Sequence, residues 1–228
     1  MRDKIMNNTT ANFFAAYWQP GMTTIYTEGM WPDMMAGPTD DEGWFEWKLA
    51  KGTLTKGDYK LIEEEYQIQL PASFIDWHKA FFFCDGDCMI ALLPASLPNE
   101  PLKELRNHLN YGGDLISQGL YPFAADGSGT GNPLVFDARY PATDNEFTIR
   151  IYDHEFVDNI NGLGEIIFSS FSKMIECLTY FLNRPESMES GEAVRHFFEV
   201  DPTGAGGPGR NYWLSYWGNT NWLNKRVW

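Results

Sequence analysis

Lysine and arginine are scarce in this chain, 17 against 31 aspartates and glutamates, which leaves a formal net charge of -14 on 228 residues. Such a surface repels phosphate backbones and anionic lipid and attracts cationic partners. Nucleic acid and membrane are therefore not expected as partners. Cysteine is scarcer still: Cys84, Cys88 and Cys177 are odd in number, in a chain too large to need covalent staples. Three reduced, unligated thiols in a cytoplasmic protein are the expectation. Cys84-x-x-x-Cys88 with His78 nearby is half of a zinc pattern, and the second ligand pair is missing. Neither a metal nor another cofactor is expected. No apolar run approaches the roughly 20 residues of a membrane span. Residues 1–18, with Asp3, Asn7, Asn8 and Asn12, hold no secretory apolar core.

Catalytic signatures are missing too. The chain has no Gly-x-Ser-x-Gly elbow and no His-Glu-x-x-His helix. Gly204 to Gly209, followed by Arg210, has enough glycine to bring backbone N–H groups to an anion. Pro208 and the absent lysine disqualify a phosphate loop, which leaves a flexible turn. Gly127 to Gly131 joins two expected strands, so no helix dipole stands behind it. Asp153-His154-Glu155 has the composition of a general-base cluster. Strand alternation is expected to put His154 opposite Asp153 and Glu155, and no nucleophile accompanies them, so a polar strand end is the better reading. The chain is not expected to be an enzyme.

What is present is apolar material: 43% hydrophobic and 16% aromatic residues, which suffices for one sizeable core. Phe13, Phe14 and Tyr17 have helical spacing, and Pro20-Gly21 closes that helix. Gly29 to Gly43 reads as an acidic loop and Trp44 to Trp47 as a short strand or a docking segment. Thr55 with Asp58 forms a capping-box pattern ahead of Tyr59, Ile62 and Tyr66. Pro71 opens a helix whose Phe74, Trp77 and Phe81 point one way, Met89 to Leu93 suggests a strand, and Pro101 opens a helix with Leu102, Leu105 and Leu109 inward. Tyr121 to Ala124, Leu134 to Asp137 and the alternating Phe147, Ile149 and Ile151 read as strands, with a turn over Pro141 to Asn145. Ser169 or Ser170 caps a helix carrying Phe171, Met174, Ile175, Leu178 and Leu182, which stops before Pro185. Trp213, Tyr216 and Trp217 would form one face of a further helix that docks on the domain, and Trp222 and Trp228 follow.

The order of short motifs resembles the SUKH superfamily. Ile62 to Pro71 with Phe74 resembles its opening helix, Leu-Pro junction and second helix; Pro122-Phe123, Asp126-Gly127 and Gly129 resemble its first core strand and turn. Val135-Phe136-Asp137, Tyr152 to Glu155 and Phe168 to Phe171 resemble the next strand, the terminal strand motif and the Ser-Phe helix. Where many members carry Asn-Gly after the second helix, this chain has Cys84-Asp85-Gly86. The resemblance implies an α+β fold with a mixed, largely antiparallel sheet and helices packed on one face. It covers residues 44–184, with an N-terminal extension over 1–43 and a Gly/Trp-rich C-terminal extension over 185–228.

The resemblance also implies a function: an immunity protein that binds and neutralises a cognate secreted toxin domain. A nuclease suits the charge, because its basic cleft would accept an acidic substrate mimic. Strand-end and turn positions nominate Asp85, Asp87, Asp126, Asp137, Asp153 and Glu155 for the toxin contact. The alternative is an intracellular scaffold that binds peptide segments of several partners. An enzyme acting on a small metabolite or sugar is a remote third.

Overall fold

The computed structural model describes residues 2–26, 30–111, 113–140, 145–157, 159–184, 187 and 191–218, with the side chains of 2–7, 113 and 218 excepted. The Pro141 turn, Pro185, Trp222 and Trp228 lie outside the described residues. Its elements run α1 (Arg2–Tyr17), β1 (Thr23–Ile25), β2 (Trp44–Glu46), β3 (Ala50–Lys51), α2 (Lys56–Tyr66), α3 (Ala72–His78), β4 (Phe81–Phe82) and β5 (Ala91–Leu92). They continue with α4 (Lys103–Tyr111), α5 (Gly113–Ser117), β6 (Leu120–Asp126), β7 (Pro133–Asp137), β8 (Thr148–Tyr152), β9 (Leu163–Phe168), α6 (Phe171–Leu182), α7 (Glu192–Val200) and α8 (Arg210–Gly218). The fold is α+β. Where a mixed sheet was expected, every described strand pair is antiparallel: a five-stranded sheet in the order β5-β6-β7-β8-β9, and two ribbons, β1-β2 and β3-β4.

Central strand β7 is buried along its whole length, so its alternation separates two apolar clusters rather than a core and a wet face. Leu134 and Phe136 join the main core with Phe123, Phe147 and Ile149, and Ile151 packs against it partly buried. Val135 joins Leu115, Leu120 and Tyr152 in a small cluster on the other face, to which α5 contributes. On the main face Phe74 meets Phe171, Phe136 and Phe123 at ring-centre separations of 5.2, 5.7 and 5.8 Å. The α1 rings Phe13 and Phe14 close over Trp77 at 5.7 and 5.9 Å. Residues before Trp44 are thus built into the core, and the 43/44 division falls between paired strands, Ile25 lying opposite Trp44.

Local signals explain most helix ends. The Asp58 carboxylate accepts from the Thr55 N–H at 2.7 Å and opens α2, and Ser170 Oγ accepts from Lys173 N at 3.2 Å to open α6. Leu70-Pro71 joins α2 to α3. Phe81 does not continue α3: Ala80 N bonds back to Trp77 O, and Phe81 enters β4 opposite Lys51. Three successive phenylalanines favour a pleated, half-buried strand over another helical turn. The Met89 to Leu93 strand shrinks to Ala91–Leu92, because Met89 takes φ 66° in a tight bend.

The Gly204 to Gly209 segment is not a flexible turn. It wraps the carboxylate of Asp201, which is 1% exposed and accepts from the backbone N–H groups of Ser169 (2.8 Å), Gly204 (3.1 Å) and Ala205 (3.1 Å) and from Ser169 Oγ. A Cβ on Gly204 would lie 2.1 Å from Ser169 N, and one on Gly209 2.5 Å from Ile166 O. Glycine is needed there so that the backbone can press against β9. Trp213, 1% exposed, then donates its indole N–H to Ile167 O at 2.9 Å. The C-terminal segment thereby covers the β9 edge, which would otherwise offer unpaired backbone groups. Tyr216 and Trp217 are buried with it, so α8 docks through the aromatic face expected of it.

Candidate functional site

Antiparallel order brings the end of β6 and the end of β8 to the same end of the sheet, with the β6–β7 turn between them. Asp126 closes β6 there and Asp153 follows β8. Asp85 and Asp87 flank that end from the outer side of β5, where Asp87 bridges to Leu92 and Gly127 N bonds to Ile90 O at 3.1 Å. Asp137 is not part of the group: it closes β7 at the opposite end, opposite Leu120.

Burial then divides the six nominated carboxylates. Asp126 is 2% exposed; it accepts from Ser128 N (3.0 Å), Ser128 Oγ (2.6 Å) and Thr130 Oγ1 (2.8 Å), and so holds the hairpin turn. Asp137, 1% exposed, accepts from Arg139 Nε (2.8 Å) and Nη2 (2.7 Å) and from Arg150 Nη1 (3.3 Å). Burial alone would raise its pKa, but the hydrogen bonds and charge of Arg139, with a bond from Arg150, hold it below the ordinary carboxylate value. Neither buried carboxylate presents an open face to a partner. Asp85 and Glu155 are exposed, and Asp87 and Asp153 half-buried. The Asp85 carboxylate accepts from Asp87 N (2.9 Å), that of Asp87 from Met89 N (2.7 Å), and Tyr17 OH donates to the Asp85 carbonyl, tying the turn to α1.

The strand expected to continue through Glu155 stops at Tyr152. Residues His154–Phe156 form a 3-10 turn, Asp153 Oδ1 accepting from Glu155 N at 3.0 Å, because backbone pairing ends where Asp153 N turns to Gly162 O. Strand alternation therefore does not decide where His154 points. Its Nδ1 lies 2.8 Å from Asn132 Oδ1, an amide partner rather than a carboxylate. A Cβ on Gly162 would be 2.7 Å from Phe156 Cβ, so Gly162 allows the tight fold-back. The result is an apolar shelf: Phe156 47% exposed, Val157 79% and Ile160 40%. Val157 takes φ 41°, a left-handed conformation that β-branched residues rarely adopt. Behind the shelf is a hollow of about 220 Å³ lined by Tyr111, Leu115, Tyr152, His154 and Val157.

Titratable groups elsewhere range from buried, as His78, Cys88 and Cys177, to half-buried, as Cys84 and His108, the latter lining a hollow of about 230 Å³ with Asn107 and Tyr111. Burial pushes His78 down to about 3 and His108 down to about 4. Burial, reinforced by Asp85, pushes the Cys84 thiol up to about 12, and burial first of all raises Cys88 and Cys177 well above the usual thiol value. The three cysteines are unbridged. Among the described residues, no cluster of three or more His, Cys, Asp or Glu side chains is placed to hold a metal ion. None of their helices is long and apolar enough to cross a membrane. No protein-family model, curated protein or solved structure matches this chain. Sequence reasoning nominated Asp153 and Glu155 and missed the apolar shelf beside them; Phe156-Val157 directly after a polar strand end was the available signal.

Proposed function

We propose that this chain is a cytoplasmic immunity protein, as its resemblance to the SUKH superfamily implies, which binds and neutralises a cognate secreted toxin domain with a basic active-site cleft, such as a nuclease. The observation that carries the reading is the pairing of an exposed apolar shelf, Phe156, Val157 and Ile160, with Asp153 and Glu155 on its rim. Apolar residues at the centre of an interface supply affinity, and a charged rim supplies steering and register. A cleft built to hold phosphates presents the complementary charge.

Co-expression with the toxin domain encoded beside this chain tests it: growth is rescued by the native chain. In vitro, Glu155→Lys with Asp85→Lys slows association about tenfold at low salt. The native rate falls steeply as the Debye length shortens from about 10 Å at 0.1 M to about 3 Å at 1 M. An unchanged rate and salt dependence would remove the acidic rim from the mechanism. A second reading, a scaffold for peptide segments, draws on a groove of about 480 Å³ beside α4 lined by Asp58, Asn99, Glu100, Arg106, Asn107 and Asn110. Loose binding to many cell proteins, in place of one tight partner, favours it.

A further inference from the structure

The β1-β2 ribbon carries a second apolar surface, of different chemistry, outside the stretch that the SUKH resemblance covers. Thr24 pairs with Phe45 and Ile25 with Trp44. Phe45, 2% exposed, anchors the inner face, so alternation sends Ile25 and Trp44 outward as a directly opposed pair, 50% and 40% exposed. Tyr26, 46% exposed, lies on the other face, its ring 6.4 Å from that of Phe45, and fixes the end of the ribbon by donating its N–H to Gly43 O at 2.8 Å. Such a contiguous pair differs from the singly scattered apolar residues that any surface carries. The Trp44 backbone is held from both sides, its N–H donating to Asp40 Oδ1 at 2.8 Å and its carbonyl accepting from Asp40 N at 2.8 Å. The Trp44 ring therefore stands on a fixed platform.

Charge along the segment has one sign up to Lys48, which is exposed two residues past Glu46. Between Lys4 and Lys48 the chain has Glu28, Asp33, Asp40, Asp41, Glu42 and Glu46 and no lysine, arginine or histidine. Asp41 and Glu42 are exposed in the turn leading into Trp44, and Glu46, two residues on, shares its strand face. A neutral apolar partner would strip water from these carboxylates with nothing in return. A guanidinium stacks flat on an indole or phenol ring and bonds a carboxylate with its edge, whereas an ammonium is strongly hydrated and has no plane. We propose that the β1-β2 ribbon docks an arginine-bearing basic segment of a protein partner, with Trp44 as the stacking face, Ile25 as its apolar flank and Asp41, Glu42 and Glu46 as counter-ions. This rests on the protein-binding reading above and adds to it a second contact surface and the chemistry of its occupant.

The test needs no toxin. An arginine nonapeptide and a lysine nonapeptide are titrated into the full chain at low salt, with indole N–H resonances followed by NMR and affinity by calorimetry. The arginine peptide shifts the Trp44 indole, leaves those of buried Trp47 and Trp213 in place, and binds about fivefold tighter than the lysine peptide. Trp44→Leu, which keeps apolar bulk against Ile25, abolishes that preference, and Tyr26→Leu, on the opposite face, leaves it unchanged. Asp41→Asn with Glu42→Gln weakens both peptides. Undisturbed Trp47 and Trp213 resonances in the variants certify their fold. Equal affinity for the two peptides, or an arginine preference that survives Trp44→Leu, overturns the platform. The two ideas fail separately: absence of growth rescue sinks the immunity reading and leaves the peptide result standing, and the reverse holds for peptides that ignore the ribbon.

Discussion

Removing the Asp201 carboxylate tests the strongest structural inference, that a buried anion organises the C-terminal third of the fold. In Asp201→Ala the N–H groups of Ser169 and Ala205 lose their acceptor at once, and that of Gly204 keeps only its longer bond to the residue 201 carbonyl at 3.3 Å. Each orphaned buried donor costs about 1–3 kcal/mol. The cavity left by a carboxylate is small, and water can enter to satisfy part of the set, so the sum settles at about 3–5 kcal/mol rather than at the upper limit. Against a total stability of about 5–15 kcal/mol that is a large fraction. With a urea m-value of about 3 kcal/mol per M the midpoint falls by about 1–1.7 M. Loss of the loop also loosens Trp213 from the β9 edge, because Gly209 N is bonded to Gly204 O and Trp213 N to Gly209 O in sequence. Amides of 204–213 should therefore exchange faster than those of β7. Asp201→Asn keeps one acceptor oxygen but turns donors toward donors, and should fall between the alanine variant and the native chain. A loss below about 1 kcal/mol in Asp201→Ala would mean that the glycine loop is held by packing alone, and the reasoning would be refuted.

Three further outcomes are expected. His78 and His108 stay neutral in the folded chain down to about pH 3 and about pH 4. The unfolded chain takes up their protons near pH 6.5, so stability is full above that pH and falls below it by up to about 1.4 kcal/mol per pH unit for each histidine; a flat urea midpoint between pH 7 and pH 5 would contradict their burial. Asp137→Asn should cost about 2 kcal/mol at pH 7 by unpairing Arg139 and Arg150. Because the folded pKa of Asp137 is depressed, that difference is present above the unfolded value near 3.9 and vanishes as pH falls through the folded one, which acid titration of both chains resolves. Ellman titration should find three thiols after unfolding and only slow reaction at Cys84 before it, since Cys88 and Cys177 are buried; a shortfall after unfolding would point to a bridge or an adduct.

Elements whose cause is local were legible in the amino-acid sequence. Thr55 and Asp58 lie three apart and cap α2 by their own side chains, and the alternation of Phe147 and Ile149 is a property of five residues. Phe81 misled because positions 74, 77 and 81 satisfy a helical period that the chain abandons at Ala80, where pairing with Lys51 in β3 decides the outcome. The glycine loop misled for a related reason. Its glycines are visible, but what they surround, Asp201 bonded to Ser169, joins residues 32 apart, and no window of sequence contains both. The shelf escaped because strand periodicity does not say where pairing ends, and Gly162 folding back on Phe156 is again a tertiary event.

The acidic composition shows the same division between what a count reveals and what it hides. Several of the carboxylates behind the charge of -14 are structural acceptors: Glu63 bonds Leu70 N at 2.8 Å, Glu104 bonds Ala95 N at 2.6 Å, and Asp58, Asp126, Asp137 and Asp201 hold a cap, a turn, an ion pair and a loop. Neutralising one of these removes stability before it removes any long-range field. Asp41, Glu42, Asp85 and Glu155 are exposed, and their side chains retain solvated lone pairs for a partner. Net charge weighs both groups equally, so it supports attraction to cations without locating it. Among these carboxylates, exposure narrows the accessible ones to the ribbon turn, the β5 edge and the shelf. Two surfaces of like charge on one small protein imply either one extended basic partner that reaches both or two sites that compete for the same cations. Saturating the ribbon with the arginine peptide and then measuring association at the shelf separates the two cases: a single partner is slowed far more than screening by the added peptide charge explains, whereas independent sites leave the rate where salt alone would put it.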